Sequence, residues 1–307
     1  MNHILIIRGG AIGDFILTLP ALKALRDAFP HAHLEILGYK HIAALAGNRF
    51  YAQAVCSIEY GPLSSFFAKN SELPAELANY FASFDLIISY LYDPDRIFES
   101  NLQRCGVENF VRGPAKIDNS QHAARQLAWP VEELGIKVVD LAGKIFPSPE
   151  DRQFAQDFLR GLPRPIVAIH PGSGSERKNW PVENWFELGS SLSLVVAGEA
   201  DEAQVVRLEI AWKDRDVRFA RNLPLPQLGA VLENSIFIGQ DSGISHLAAA
   251  AGANCILLFG PTDPAIWAPK NENVHVIRAP NGDLRQLDVD VVRDALDHAL
   301  MRIGIST

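Results

Sequence analysis

Short apolar runs recur along this chain, each closed by glycine, proline or charge, and between them lie longer stretches whose apolar positions follow a helical period. Residues 4–7 read as a buried strand, the glycine-rich RGGAIGD follows, and FILTLPALKALRDAF then takes up the helical pattern. Pro20 is predicted to start or kink that helix, with Thr18 as its cap. Further strands are predicted at 33–39, 54–60 and 85–90, with a helix in SELPAELANYF. After Tyr90 the pattern loosens. YDPDRIFESNLQRCG reads as a loop then a helix, and NSQHAARQLAWPVEELG as a helix that Pro130 interrupts or ends. Ser148 and Pro149 open another helix, and Pro163 and Pro165 surround its exit, which places a linker near 161–165. Strands at 166–169, 192–197, 235–240 and 255–260 then alternate with helices in GEADEAQVVRLEIAW, LPLPQLGAVLEN and DSGISHLAAAAG. Strands separated by helices predict α/β architecture, with mainly parallel sheets covered on both faces.

A length of 307 residues exceeds what one hydrophobic core usually organises. Two Rossmann-like domains are therefore expected, 1–160 and 161–307. Hydrophobic residues at 48% and charged residues at 21%, with prolines and glycines dispersed, predict compact folding. The net charge of -8 argues against a nucleic-acid partner, although a local basic cleft can still hold an anion. Cys56, Cys105 and Cys255 match neither a disulfide framework nor a metal-ligand spacing, so buried thiols in a reducing compartment are expected. Met1 leads into ILII and RGGAIGD without the features of a secretion signal, and no apolar run reaches the roughly 20 residues of a bilayer span. The expectation is a soluble, cytoplasmic protein.

The candidate chemistry lies where predicted strands empty into small-residue loops. HPGSGSERKNWP follows the strand at 166–169 and sets Ser173, Ser175 and Lys178 among backbone amides, a composition suited to phosphate; a tight surface turn is the alternative. Asp201 and Glu202 either favour the positive end of a helix or accept hydrogen bonds from a ribose diol. Asp241 through His246 joins a buried strand to an alanine-rich helix, and His246 is either a phosphate donor or a packing residue. In GPTDP, Thr262 and Asp263 either contact the ligand or cap the turn. Asp93 and Asp95 read as a solvent-facing turn, and no acidic pair or histidine cluster makes a specific metal site, so the expectation is metal: none.

RGGAIGDFILTLPALKALRDAFP, HPGSGSERKNWP, DSGISHLAAAAG and GPTDP, in that order along nearly the whole chain, resemble the ADP-heptose:lipopolysaccharide heptosyltransferase family, glycosyltransferase family 9. The resemblance implies a GT-B fold, two Rossmann-like domains facing each other across a cleft, with the last helix a candidate to pack back on the N-terminal domain. It implies inverting transfer of a heptose-like sugar from an ADP-sugar held by the C-terminal domain to an acceptor approached by the N-terminal domain. ADP-heptose or a related nucleotide sugar is then a substrate, no cofactor is needed, and the acceptor is a lipopolysaccharide core or related bacterial glycan.

Residue by residue, the resemblance assigns Gly10, Gly13 and Asp14 to the acceptor side, with Asp14 as general base; capping of the adjoining helix is the other role open to Asp14. Ser173, Gly174, Ser175, Lys178, Ser242, Gly243 and His246 fall on the phosphate site, Ser173 standing where threonine is expected. Lys178 is placed to stabilise the leaving diphosphate. Glu202, or its neighbour Asp201, falls on ribose, Asp241 on the sugar hydroxyls, and Thr262 and Asp263 on the same loop edge. Trp180 and Pro181 are expected to brace the loop. YLYDPDRIFES and the route to Asn119 are the least family-like stretch, where acceptor choice is expected to be set. The implied setting is the cytoplasmic face of a bacterial inner membrane, touched peripherally through Phe66, Phe67 and Lys69 unless those rings pack inward. Competing readings are a nucleotide-sugar epimerase or hydrolase, a non-catalytic glycan-binding protein, and a dinucleotide oxidoreductase whose G-x-G-x-x-G pattern GGAIGD approaches without reproducing.

Overall fold

The computed structural model describes residues 1–198 and 202–302. The chain divides into two compact units, Met1–Leu141 and Ala142–Thr307. In the first, the elements run β1 (His3–Arg8), α1 (Ile12–Ala28), β2 (His33–Gly38), α2 (Lys40–Ala43), β3 (Ala54–Ser57), α3 (Ala75–Ala82), β4 (Leu86–Ser89), α4 (Ile97–Arg104), β5 (Phe110–Arg112) and α5 (Ala123–Glu132). The strands form one parallel sheet ordered β3-β2-β1-β4-β5. Ile4, Leu5, Ile6 and Ile7 are all buried because β1 is central, with neighbours on both edges and apolar cover on both faces. The strand order reverses between β1 and β4, and such a switch point opens a crevice beyond the carboxyl ends of the strands.

The helix after β1 starts at Ile12, so of the two readings for Pro20, starting or kinking the helix, the first does not hold, and Pro20 lies inside it. Its buried residues continue through the proline, from Phe15 to Leu22 and on to Leu25. Each buried leucine or isoleucine contributes about 1.5–3 kcal/mol, so together they outweigh the roughly 3 kcal/mol an internal proline costs. Thr18 is not a cap. Its hydroxyl donates to the Asp14 carbonyl at 2.8 Å, one turn back. Phe66 is fully buried against Phe81 and Phe98, which removes it from any surface patch; Phe67 stacks on Phe98 and stays partly exposed, as does Lys69.

The second unit runs α6 (Pro149–Phe158), β6 (Val167–His170), α7 (Val182–Leu188), β7 (Leu194–Ala197), α8 (Glu202–Ala211), β8 (Arg218–Arg221), α9 (Leu225–Leu232), β9 (Ile236–Gln240), α10 (Gly243–Ala251), β10 (Asn254–Phe259), α11 (Pro264–Trp267), β11 (Val274–Arg278) and α12 (Val289–Arg302). Its parallel sheet is ordered β11-β10-β9-β6-β7-β8, and the switch point falls between β9 and β6. The division at Leu141 comes before the proline-marked stretch at 161–165. The Ile145 amide donates to the Ala250 carbonyl at 3.0 Å, and Arg152 on α6 pairs with Glu233 at the end of α9. These contacts assign residues 142–160 to the second unit, since prolines restrict local geometry without specifying which core a helix joins. Ser148 caps α6 with Pro149 in its first turn, as read from the sequence.

Trp180 and Trp185 are fully buried edge to face, and the Trp180 indole donates to the Leu287 carbonyl at 3.0 Å, bracing the loop after β6. Val292, Leu296 and Leu300 of α12 belong to the same core, so the last helix packs within the second unit. Cys255 is buried as expected, whereas Cys56 and Cys105 are half-buried. Among the described residues no helix is long and apolar enough to cross a membrane.

Candidate active site

At the switch point of the first sheet, β1 ends in Arg8 and the chain turns through Gly9 and Gly10 into α1. Gly10 takes φ +99°, a left-handed conformation that favours glycine, and a Cβ there would meet the Asp14 carboxylate at 3.2 Å. Asp14 is thereby held in the first turn of α1, where its Oδ2 accepts from the Ala11 amide at 3.2 Å. Arg8 is buried beneath it. The Arg8 Nε donates to Thr18 Oγ1 at 3.0 Å, its Nη2 donates to the Asp14 carbonyl at 3.1 Å, and Nη2 lies 3.8 Å from Asp14 Oδ1. The guanidinium also lies over the Tyr90 ring. Burial pushes the Arg8 pKa down and Asp14 opposes that shift, so the carboxylate is the counter-charge of a desolvated cation. The Asp14 side chain keeps 36% exposure. It combines a helix-capping contact with an accessible carboxylate, so capping does not occupy the whole group.

At the second switch point, three loops meet on one carboxylate. Asp241, just past β9, accepts on Oδ2 from Lys178 Nζ at 2.7 Å and from Thr262 Oγ1 at 2.7 Å. Lys178 follows β6 and Thr262 follows β10, the strands on either side of β9, so sheet order brings together residues far apart in sequence. Lys178 stays partly exposed while Asp241 is largely enclosed, which leaves the ammonium available to an anion. Gln240, fully buried at the end of β9, donates from Nε2 to the Pro171 carbonyl at 3.0 Å and ties the loop after β6 to β9; its Oε1 has no partner among the described residues.

The remaining predicted residues divide by what their atoms already do. The one proton of the Ser173 hydroxyl has Ser175 O and Asn179 Oδ1 within reach, at 2.9 and 2.7 Å, and the oxygen accepts from the Ser175 amide at 3.3 Å, so the group holds the loop's shape. Gly174 has open space where a Cβ would stand, and Ser175 is exposed beside it. Ser242 caps α10 by accepting from the Ser245 amide at 3.3 Å, and its Oγ lies 3.3 Å from His170 Nδ1. The first-turn amides of α10, beginning with Gly243, make an anion-favouring helix start. His246 is buried on α10. Asp263 caps α11 by accepting from the Ala265 amide at 3.0 Å, the turn-capping reading, while Thr262 joins Asp241. Glu202, at the start of α8 beyond β7, receives Arg221 Nη1 on both oxygens at 2.9 Å. Asp201 lies outside the described residues. Asp93 accepts from the Ile97 and Glu99 amides at 2.9 and 3.0 Å, so it caps α4. Among the described residues no three of His, Cys, Asp or Glu gather as metal ligands.

Arg8, Tyr90, Gln240 and Arg221 were not singled out from the sequence. Arg8 and Gln240 carry one legible signal, a polar residue closing a strand-like apolar run just before a small-residue loop. Tyr90 and Arg221 acquire their roles only through sheet pairing.

Residues 110–292 match glycosyltransferase family 9 (heptosyltransferase). Lipopolysaccharide heptosyltransferase 1 of Escherichia coli O18:K1:H7 is 30% identical over 166 residues, and that match spans 48% of each chain, so this chain aligns with about half the length of that relative. Lipopolysaccharide heptosyltransferase 3 of Escherichia coli is 22% identical over 316 residues, covering 92% of this chain and 90% of that protein. The fold matches the structure of E. coli ADP-heptose lps heptosyltransferase II with a TM-score of 0.79, at 14% identity, over 99% of this chain and 100% of that one. The two doubly wound sheets are thus those of a GT-B fold.

Proposed function

The chain belongs to glycosyltransferase family 9, and we propose that it transfers a heptose-like sugar from an ADP-sugar to a lipopolysaccharide core or related bacterial glycan, with inversion at the anomeric carbon. The observation that carries this reading is the meeting of Lys178, Asp241 and Thr262 over a sheet switch point, the position where open α/β sheets bind nucleotides. Thr262, Asp241, Lys178 and Glu202 follow four consecutive strands, β10, β9, β6 and β7, which at about 4.8 Å per step spread the row over about 14 Å. An extended nucleoside diphosphate sugar suits such a row. Its ribose falls to Glu202, oriented by Arg221, and its diphosphate to Lys178 and the first amides of α10. Its sugar hydroxyls fall to the free oxygen of Asp241.

In the proposed reaction the acceptor hydroxyl gives its proton to Asp14 as its oxygen bonds to the anomeric carbon. The bond from that carbon to the diphosphate breaks, and its electron pair leaves with the nucleoside diphosphate. Lys178 meets charge that grows in the transition state, an interaction that accelerates the step instead of only tightening binding. Asp241 keeps the ammonium in place before the substrate arrives. Relatives named for ADP-heptose and lipopolysaccharide support the choice of sugar donor and acceptor. We place the enzyme at the cytoplasmic face of the inner membrane, met peripherally, with Phe67 and Lys69 as the contact that remains once Phe66 is buried.

The test is incubation with ADP-heptose and lipopolysaccharide core acceptors, with mass measurement of both products. Glycan that gains a heptose only when both substrates are present supports the proposal. Free sugar without acceptor would make the chain a hydrolase, isomerised ADP-sugar an epimerase, and affinity without turnover a glycan-binding protein. Robust NAD-dependent redox turnover would overturn the transferase reading.

A further inference from the structure

A cavity in the first unit lies outside the machinery assigned so far. It encloses about 560 Å³ at the carboxyl ends of β4 and β5, beside α5. That volume is within the range of small-molecule sites. Two aromatic side chains line it while remaining unusually open to water, Trp129 at 51% exposure and Tyr92 at 63%. Both belong to the stretch between Tyr90 and the end of α5, and Tyr92 lies in the segment that is least family-like in sequence.

The charged groups lining this cavity are one cation, Arg112, and three carboxylates, Asp93, Glu99 and Glu133. Arg112 Nε lies 3.3 Å from Glu99 Oε2, and the terminal nitrogens of Arg112 have no partner among the described residues. Glu133 is exposed on the same lining. Asp93 is occupied by the backbone amides of α4 and serves as a brace. Guanidinium N–H donors thus stand beside carboxylate acceptors with little net charge between Arg112 and Glu99. A phosphate would gain from the arginine and lose to the glutamates. A neutral polyol, which both donates and accepts, fits the set better; Lys116 Nζ lies over the Tyr92 ring at 4.5 Å, so the half-exposed Trp129 ring offers the main surface for the apolar C–H side of a sugar ring.

Leu91 links this cavity to the Asp14 loop. It lines the cavity, and its side chain lies 3.7 Å from where a Cβ on Gly9 would be, at the start of that loop. β4 pairs directly with β1, so the cavity opens one strand along the same sheet edge from Asp14. From this juxtaposition we propose that the Trp129–Tyr92–Arg112 cavity is a subsite for one neutral sugar ring of the acceptor glycan, distinct from the ring whose hydroxyl reacts. It rests on the proposed transferase reading for its acceptor, and it explains acceptor choice by ring stacking together with the Arg112–Glu99 pair.

The experiment compares the full chain with Trp129→Ala, Trp129→Phe and Arg112→Gln. Binding of lipid-free bacterial core oligosaccharides is followed without any nucleotide sugar by saturation-transfer NMR, and steady-state transfer is measured alongside. Trp129→Ala is expected to weaken oligosaccharide binding and raise the acceptor KM about tenfold or more, with kcat and the nucleotide-sugar KM near wild type and Trp129→Phe recovering most of the loss. Because Trp129 is half-exposed, its replacement by alanine is expected to lower the melting temperature by a few degrees, which thermal unfolding on the same preparations separates from loss of binding. Loss of oligosaccharide binding in Trp129→Ala in a chain that transfers nothing would retain the subsite and remove the transferase reading. Unchanged oligosaccharide affinity in Trp129→Ala, or binding abolished by excess inorganic phosphate, would overturn the subsite itself.

Discussion

Asp14→Asn separates chemistry from architecture in the proposed mechanism. The carboxamide oxygen can still accept from the Ala11 amide, the contact that Asp14 Oδ2 makes at 3.2 Å. Arg8 loses a partner 3.8 Å away but keeps its bonds to Thr18 Oγ1 and to the carbonyl of residue 14. Asp14 is 36% exposed but Arg8 is buried, so solvent screens the lost counter-charge only in part, and the substitution costs about 1–3 kcal/mol. In a domain of this size that lowers the melting temperature by up to about 10 °C. Removing a general base costs about 10²–10⁴ in rate, equivalent to about 3–5 kcal/mol. The two effects are told apart by where they appear, the structural one in thermal unfolding and the chemical one in kcat of the folded protein. Turnover at saturating acceptor, ADP affinity by calorimetry and thermal unfolding should be measured on the same preparations. The expected result is a loss of at least about 10²-fold in kcat with near-native ADP affinity. Asp14→Ala adds a stability loss of up to about 1 kcal/mol, because nothing then accepts from the Ala11 amide. Near-wild-type kcat in Asp14→Asn would refute the general-base assignment and leave Asp14 a helix cap.

Three further outcomes follow from the geometry. Lys178→Ala should lower kcat by about 10²–10³ and weaken ADP binding in calorimetry while leaving the fold intact, since Asp241 keeps its bond to Thr262; unchanged ADP affinity would remove Lys178 from the phosphate site. Gly38→Ala should destabilise the protein by about 1–3 kcal/mol in thermal unfolding, because a Cβ there would lie 2.5 Å from the Arg8 carbonyl oxygen of the paired strand; a wild-type melt would contradict that close approach. In native protein at mildly alkaline pH, a thiol reagent should modify Cys56 and Cys105 and spare Cys255 until denaturant is added. Burial pushes the Cys255 thiol pKa up and keeps the thiolate scarce, so rapid modification of Cys255 in the folded state would show the strand is not closed.

The alternation of apolar runs with helical stretches was enough to read two mainly parallel α/β sheets from the sequence, because buried central strands such as Ile4–Ile7 must be continuously apolar. The strands it did not reveal, Phe110–Arg112, Arg218–Arg221 and Val274–Arg278, all lie on sheet edges. An edge strand is paired on one side only, and these three carry arginine or histidine in place of a full apolar run, so their sequences lack the burial signature. The motifs that resemble the family singled out Asp14, Lys178 and Asp241 as candidates, and glycine-rich turns after strands are places where a backbone can approach a ligand. What each side chain touches there was decided by contacts across the sheet. Ser173 is turned inward by Asn179, Thr262 is drawn to Asp241 by the adjacency of β9 and β10, and Arg8 becomes the buried counter-charge of Asp14. The unit boundary at Leu141 and the helix that runs through Pro20 were decided in the same way. Local sequence sets which conformations are inexpensive, whereas the choice among them depends on apolar area buried against residues distant in the chain, and only the folded arrangement contains that information.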